Sequence, residues 1–398
     1  MSSKKLTSPA VEDLPVDGLL ERVRGVVPLI ARRAVDAESR RKPDDDVIAA
    51  LKSTGVFRSF VPERFGGYEI GVDLFVDIGI TVSEACASTG WITTFYMEHN
   101  WLLGLFSDAL QEEVFAEVPF ILAPGSVNPK GGVATPMEGG FELNGRWKFA
   151  TGIVHADWVL LSTMVSNGAD DPVQRLCLVR RADVEVADTW HVDGMAATGS
   201  HDIVAKQVFV PERYMSLLVP PVVTAGKDAT YLMRLPVRPF LSLTAAIPAV
   251  GAARRAVELY RNVVQERVRF GTRKVQKDSA SAQIRLANVL TEVRAAETVL
   301  RANAHIIERH ARGHIRLSGL DQQETSLSIA HVVRDCRRVV RHVMEGSGAS
   351  VHFLDHELQR INRDVQMMGA HTVFDVDLSA EASGRARLQS DAPLFPRR

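Results

Sequence analysis

The segment Trp147-Lys148-Phe149-Ala150-Thr151-Gly152-Ile153-Val154-His155-Ala156-Asp157-Trp158 puts a hydroxyl, an imidazole and two indoles on one short stretch of β-type sequence. It closes a Gly-rich, hairpin-like region in the middle third of the chain, with long helical patterns on both sides. Helices that enclose such a stretch make it a floor on which a flat, apolar cofactor can lie. Thr151 is the hydroxyl placed to meet a polar ring edge; the plainer reading is a strand threonine that packs as a β-former. Trp147 and Phe270 read either as aromatics packed on such a ring or as ordinary core.

The elements around this segment follow from hydrophobic spacing. Leu19, Leu20, Val23, Val26, Val27, Ile30 and Ala31 recur at helical intervals within 16–37. Asp44-Asp45-Asp46 offers N-cap oxygens for a helix that Gly55 stops. Further helices are expected over 73–86, 89–105 and 108–118, after a loop marked by Pro62 and Gly66-Gly67. From Pro119 to about Pro221 the texture is short β runs broken by Gly and Pro, among them Phe120-Ile121-Leu122 and Trp158-Val159-Leu160-Leu161. Asn144-Gly145, between Phe141-Glu142-Leu143 and Arg146-Trp147-Lys148, predicts a hairpin turn. Four long amphipathic runs near 242–268, 280–312, 322–346 and 350–370, separated by short breaks, predict an antiparallel bundle. The expected architecture is mostly α with a central β domain. Its parts are an unstructured N-terminus (1–14), a helical domain (15–118), a β-barrel or sandwich (119–221) and a C-terminal four-helix bundle with a tail (222–398).

Bulk properties narrow the function classes. Hydrophobic content of 46% with 24% charged residues is that of a chain that buries a large core. With 47 basic against 48 acidic residues there is no electrostatic case for nucleic acid or an anionic membrane surface. Cys86, Cys177 and Cys336 are too scattered for a metal knuckle or a disulfide framework, so a reducing cytoplasm is expected. Met1 to Ala10 is polar and does not read as a secretory signal, and no run approaches the roughly 20 apolar residues of a bilayer span. His310 and His314 stand four apart but lack the carboxylate of a zinc-binding pattern, and no metal site is expected. Gly346-Ser347-Gly348 lies between helices without a third glycine, so it is no Rossmann fingerprint. It reads either as a helix–helix turn or as a place where a phosphate approaches a helix N-terminus.

Four stretches together resemble the acyl-CoA dehydrogenase superfamily over about residues 15–388. They are Ser88-Thr89-Gly90-Trp91 leading to His99-Asn100-Trp101, the Ala150–Trp158 segment, Thr198-Gly199-Ser200-His201-Asp202, and Arg360-x-x-Arg363-Asp364 running to His371. Within the superfamily the chain is most similar to the oxygenase components of two-component flavin-dependent monooxygenases, the p-hydroxyphenylacetate and hydroxylated-steroid hydroxylase type. Where the dehydrogenases carry a base glutamate, this chain has Gly369-Ala370-His371-Thr372-Val373. It has Ala197-Thr198-Gly199-Ser200-His201 where the hydroxylases carry Gly-Thr-Gly-Ser-Asn.

The resemblance implies reduced FMN or FAD delivered by a separate NAD(P)H-dependent flavin reductase, O2 as co-substrate, and a homotetramer. It also implies hydroxylation of a phenolic or other aromatic substrate by way of a flavin C4a-hydroperoxide, which survives best in a dry pocket. Thr151 is then placed to hold the proton on flavin N5, and Arg267 and Phe270 in Arg267-x-x-Phe270-Gly271 to contact the flavin. A phenol with a pKa of about 10 needs a base, and His99 and His371 are the candidates; each also reads as a helix-end imidazole. His155 is expected to be a structural hydrogen-bonder beside the flavin. Trp91, Phe95, Tyr96 and Trp101 suggest a flat aromatic guest. The alternatives are an acyl-CoA dehydrogenase with FAD, an N- or S-oxygenase of the same flavin class, and a non-catalytic helical scaffold.

Overall fold

The computed structural model describes residues 14–165, 172–217, 230–268, 271 and 273–394. The expected unstructured N-terminus falls outside these residues except for Leu14. Among the described residues five α-helices come first: α1 (Leu19–Arg40), α2 (Asp45–Ser53), α3 (Val72–Ala85), α4 (Ala87–Leu102) and α5 (Asp108–Phe115). Asp44 caps α2 by accepting from the Asp46 N–H at 3.0 Å, and Gly55 follows in the left-handed region at φ 81°, as the acidic cluster and the glycine predict.

Among the described residues eight strands form one mixed sheet: β1 (Gly125–Ser126), β2 (Gly132–Met137), β3 (Gly140–Trp147), β4 (Trp158–Val165), β5 (Val173–Arg180), β6 (Glu185–Ala187), β7 (Asp202–Pro211) and β8 (Met215–Leu217). Their order is β6-β7-β3-β2-β4-β5-β8, with β1 paired parallel to β4. Two expectations are corrected here. Asn144-Gly145 makes no turn; it sits inside β3, where the register against β7 slips between Leu143 and Gly145. The Asn144 side chain accepts from the Gln207 N–H at 2.8 Å, and a side chain on Gly145 would strike the Gly131 carbonyl. The pair is a β-bulge, and the hairpin turn lies at Glu138-Gly139 instead. Phe120-Ile121-Leu122 is extended but joins no strand. The Asn100 amide replaces a ladder partner, accepting from Ile121 N–H and donating to Ile121 O, both at 2.9 Å.

The C-terminal part contains α6 (Val237–Glu266), α7 (Ala280–Arg312), α8 (Gly319–Ser347), α9 (Glu357–Met368) and a further helix, α10 (Val376–Leu388), packed on α8. Helix α6 is long and apolar enough to cross a membrane by length and composition, yet most of that stretch is buried inside the protein. It packs against α3, α4, α7, α8 and α9, so its apolar circumference is that of a central core helix. The first helices therefore pack directly on the bundle, α3 and α4 against α6, and α4 also meets the turn that follows β3.

Candidate active site

Helix α4 presents Trp91, Phe95 and His99 at successive four-residue steps, which places them on one helix face. The Phe95 ring stacks on Trp91 at 4.7 Å, and His99 meets the edge of Phe95 at 5.5 Å. His371, three residues beyond α9 at the start of a short 3-10 turn, approaches Trp91 at 5.7 Å. Two imidazoles separated by more than 270 residues thus border one aromatic wall.

The sheet supplies the facing turn. After β3 the chain turns through Phe149, whose φ of 67° is unusual for a residue with a side chain, and Gly152 at φ 75°. Ala150 N–H donates to His201 O at 3.0 Å and Gly152 N–H to Thr198 O at 2.9 Å, binding this turn to the 198–201 loop. Tyr96 braces it from below with a hydroxyl bond of 2.5 Å to Gly152 O. Thr151 then joins a hydroxyl cluster: 3.1 Å to Ser200 Oγ, which is 2.7 Å from Thr198 Oγ1. The Trp91 indole N–H donates to Thr151 Oγ1 at 3.3 Å, closing α4 onto the turn.

The two imidazoles hold opposite tautomers. His99 Nδ1 lies 2.6 Å from the Ala123 carbonyl, an obligate acceptor, so Nδ1 carries the proton and Nε2 keeps its lone pair. Gly125 leaves that nitrogen open: a Cβ there would stand 2.9 Å from Nε2. His371 Nδ1 instead accepts the Val373 N–H at 3.4 Å, so its Nε2 is the N–H donor in the neutral ring. Burial pushes both rings down to about 4. His371 is exposed at the rim of the wall although protein atoms crowd its ring, whereas His99 is buried. Glu98, fully buried, has no hydrogen-bond partner among the described residues, and its Oε2 is 3.7 Å from His99 Nε2. Burial drives its carboxyl well above the usual carboxylate range, favouring the neutral acid.

Residues 243–376 match the family described as acyl-CoA dehydrogenase, C-terminal domain. A pigment production hydroxylase from a Rhodococcus species is 33% identical over 390 residues, covering 96% of this chain and 98% of that protein. The flavin-dependent monooxygenase oxygenase subunit HsaA of Rhodococcus jostii is 32% identical over 375 residues, covering 89% and 94%. The solved structure of XiaF from a Streptomyces species, in complex with FADH2 and glycerol, superposes with a TM-score of 0.87 at 25% identity, covering 95% and 96%. The chain belongs to the flavin-dependent oxygenase components built on the acyl-CoA dehydrogenase fold.

As a flavin-dependent monooxygenase it works with reduced FMN or FAD and O2. Its residues fit such a ring: Phe149, 61% exposed and edge-on to Trp190 at 6.0 Å, offers an open aromatic face one turn from the Thr151 hydroxyl. Phe149 and Glu98 were not foreseen from sequence; a bulky aromatic between Trp147 and a turn glycine was the available signal for the former.

Other expected site residues sit elsewhere. Trp147 is sealed inside the sheet under Gly131 and Gly132, with its N–H bonded to Ser162 O at 2.7 Å, and offers no free face. Trp101 points off the Trp91 face into the core, where it donates to Leu232 O at 2.7 Å and packs on Phe240. Tyr96 supports the turn from within the core, its ring edge-on to Phe57. His155 bonds Asp45 of α2 at 2.7 Å and ties the helical layer to the sheet. Arg267 and Gly346-Ser347-Gly348 form a second locus: a Cβ on Gly348, at φ 77°, would fall 2.2 Å from the Arg267 guanidinium. Phe270 lies outside the described residues. Among the described residues no group of three His, Cys, Asp or Glu side chains is arranged to hold a metal.

Proposed function

We propose that this oxygenase hydroxylates a flat phenolic or heteroaromatic substrate held against the Trp91–Phe95 wall. The opposite tautomers of His99 and His371 at the two ends of that wall carry the reading. Reduced flavin, when bound, supplies the electrons for O2 activation. His99 takes the substrate hydroxyl proton at Nε2, raising the electron density of the ring carbon to be hydroxylated. His371 donates from Nε2–H to an oxygen that gains charge at the other end of the wall. Thr151 meets the N5 edge of the flavin, and the apolar rings of α4 exclude water. Arg267, beside the close approach at Gly348, serves a flavin phosphate.

A separate NAD(P)H-dependent reductase supplies the flavin, and the cytoplasm, where the three buried cysteines stay as thiols, is the proposed setting. A homotetramer is proposed as well, with exposed Leu378 and Leu388 on α10 and Ile284 on α7 available for association between copies.

The test couples the purified chain to a generic NADH-dependent flavin reductase under 18O2. A panel of phenols, indoles and polycyclic phenols is supplied, and product is read by mass spectrometry. Incorporation of one 18O into an aromatic product supports the reading; reduced flavin oxidised without any oxygenated product across the panel opposes it. Turnover of sulfur or amine substrates that survives His99→Ala would favour N- or S-oxygenation instead, since that chemistry needs no phenol proton removed.

A further inference from the structure

The hydroxyls behind Thr151 form a chain whose direction can be worked out bond by bond. Thr198 Oγ1 donates its single proton to the Met195 carbonyl at 2.8 Å, because a carbonyl can only accept. With that proton committed, the 2.7 Å contact between Thr198 and Ser200 must be donated by Ser200. Ser200 then has no proton left for Thr151, so across their 3.1 Å contact Thr151 is the donor. The indole of Trp91 can only donate, and it occupies one lone pair of Thr151 Oγ1. The chain thus runs from Trp91 N–H through Thr151, Ser200 and Thr198 to Met195 C=O. It leaves Thr151 with one lone pair and no proton to offer a neighbour.

The end of the chain is itself fixed. Met195 stands in the left-handed region at φ 55°, its N–H donates to the buried Asp364 carboxyl at 2.5 Å, and its carbonyl also accepts from the Trp190 indole at 3.1 Å. Thr198 and Ser200 are almost wholly buried, so water does not compete for their protons.

We propose that Ser200 and Thr198 are positioning residues that lock the Thr151 hydroxyl as a hydrogen-bond acceptor toward the cofactor edge. The inference rests on Thr151 meeting flavin N5. Reduced flavin carries a proton on N5 and oxidised flavin carries a lone pair there. A locked acceptor therefore pairs with the reduced ring and sets lone pair against lone pair with the oxidised one. Discrimination between the redox states is built into the protein by two residues that need not touch the flavin.

The experiment is an anaerobic titration of wild type, Ser200→Ala, Ser200→Thr and Thr198→Val with FMN and with FAD, each oxidised and dithionite-reduced. Ser200→Ala frees the Thr151 proton to turn outward, so the ratio of oxidised to reduced Kd is expected to fall about tenfold, the worth of one hydrogen bond regained. Ser200→Thr keeps the hydroxyl and is expected to retain the wild-type ratio. Thr198→Val, which removes the outlet of the chain, is expected to lower the ratio in the same direction and carries the test if Ser200→Ala does not fold. A merely structural role would weaken both redox states alike; an unchanged ratio in folded Ser200→Ala and Thr198→Val overturns the proposal. Failure of the wild type to bind flavin in either state would instead overturn the placement of flavin at Thr151 on which it rests.

Discussion

His99 and His371 face the same Trp91–Phe95 wall with the same ring nitrogen tied down in opposite roles, Nδ1 donating in one and accepting in the other. This divides two otherwise equivalent imidazoles into an acceptor and a donor before any substrate arrives. Crowding by protein atoms, complete at His99 and partial at the exposed His371, adds a second property: both rings stay neutral well below the pH at which histidine ordinarily charges.

The acidic limb of kcat/KM is accordingly expected near pH 4, where His99 gains its proton, and not near 6.5. The sign for stability follows the same shift. Between about 6.5 and 4 the unfolded chain binds protons on these two histidines that the folded chain refuses. Their contribution is therefore full above 6.5 and is lost as pH falls toward 4. A pH–rate profile under saturating reductase, beside urea melts of wild type and His371→Gln, measures both; a rate limb near 6.5 would remove His99 as the base.

Gly125→Ala is a probe of access to His99. The added methyl would meet Nε2 at 2.9 Å, so the ring must give way or lose its open side. The expected result is a loss of kcat/KM on the order of ten- to a hundredfold with a stability cost of about 1–3 kcal/mol from overpacking. Steady-state kinetics beside thermal melts distinguish the two effects; unchanged kcat/KM would show that substrate does not approach His99 from this side.

Trp101 and Phe95 separate core from site. Trp101→Phe removes the N–H that satisfies Leu232 O and is expected to cost about 1–3 kcal/mol of stability while leaving KM unchanged. Phe95→Ala, on a half-buried ring of the wall, is expected to raise KM several-fold. Paired KM and denaturation measurements decide it, and a KM change in Trp101→Phe would return that indole to the pocket.

Asp364 is pushed up to about 7 by burial, against the Met195 N–H bond that lowers it. Here the folded chain holds a proton that the unfolded chain releases above about 3.9, so stability falls as pH rises from about 4 to 7. Asp364→Asn keeps an oxygen for Met195 but has no proton to lose. The variant is expected to flatten that part of the stability–pH curve, as read by chemical denaturation at intervals between pH 4 and 8. An unaltered slope would mean that Asp364 is already ionised across that range.

Much of the fold was legible because period and punctuation agreed. Asp44 and Gly55 bracket α2 as capping rules require, and the long apolar stripes became α6, α7 and α8. Asn144-Gly145 misled because a dipeptide suited to a turn is also suited to a bulge, and only the Gln207 N–H and the crowded Gly131 backbone decide between them. At the site, Trp91, Phe95, Tyr96 and Trp101 were grouped by composition, whereas the helix sorts them: the four-residue steps keep Trp91, Phe95 and His99 together and turn Tyr96 and Trp101 away. The Ser200–Thr198 relay and the tautomers were beyond reach, since both depend on which carbonyl or amide lies within 3 Å or so of a side chain.

The proposed reacting surface draws on stretches around residues 91–99, 123–125, 149–152, 198–200 and 371, which no single segment of the chain brings together. Attempts to transplant its chemistry will need the whole scaffold, because no contiguous cassette contains it.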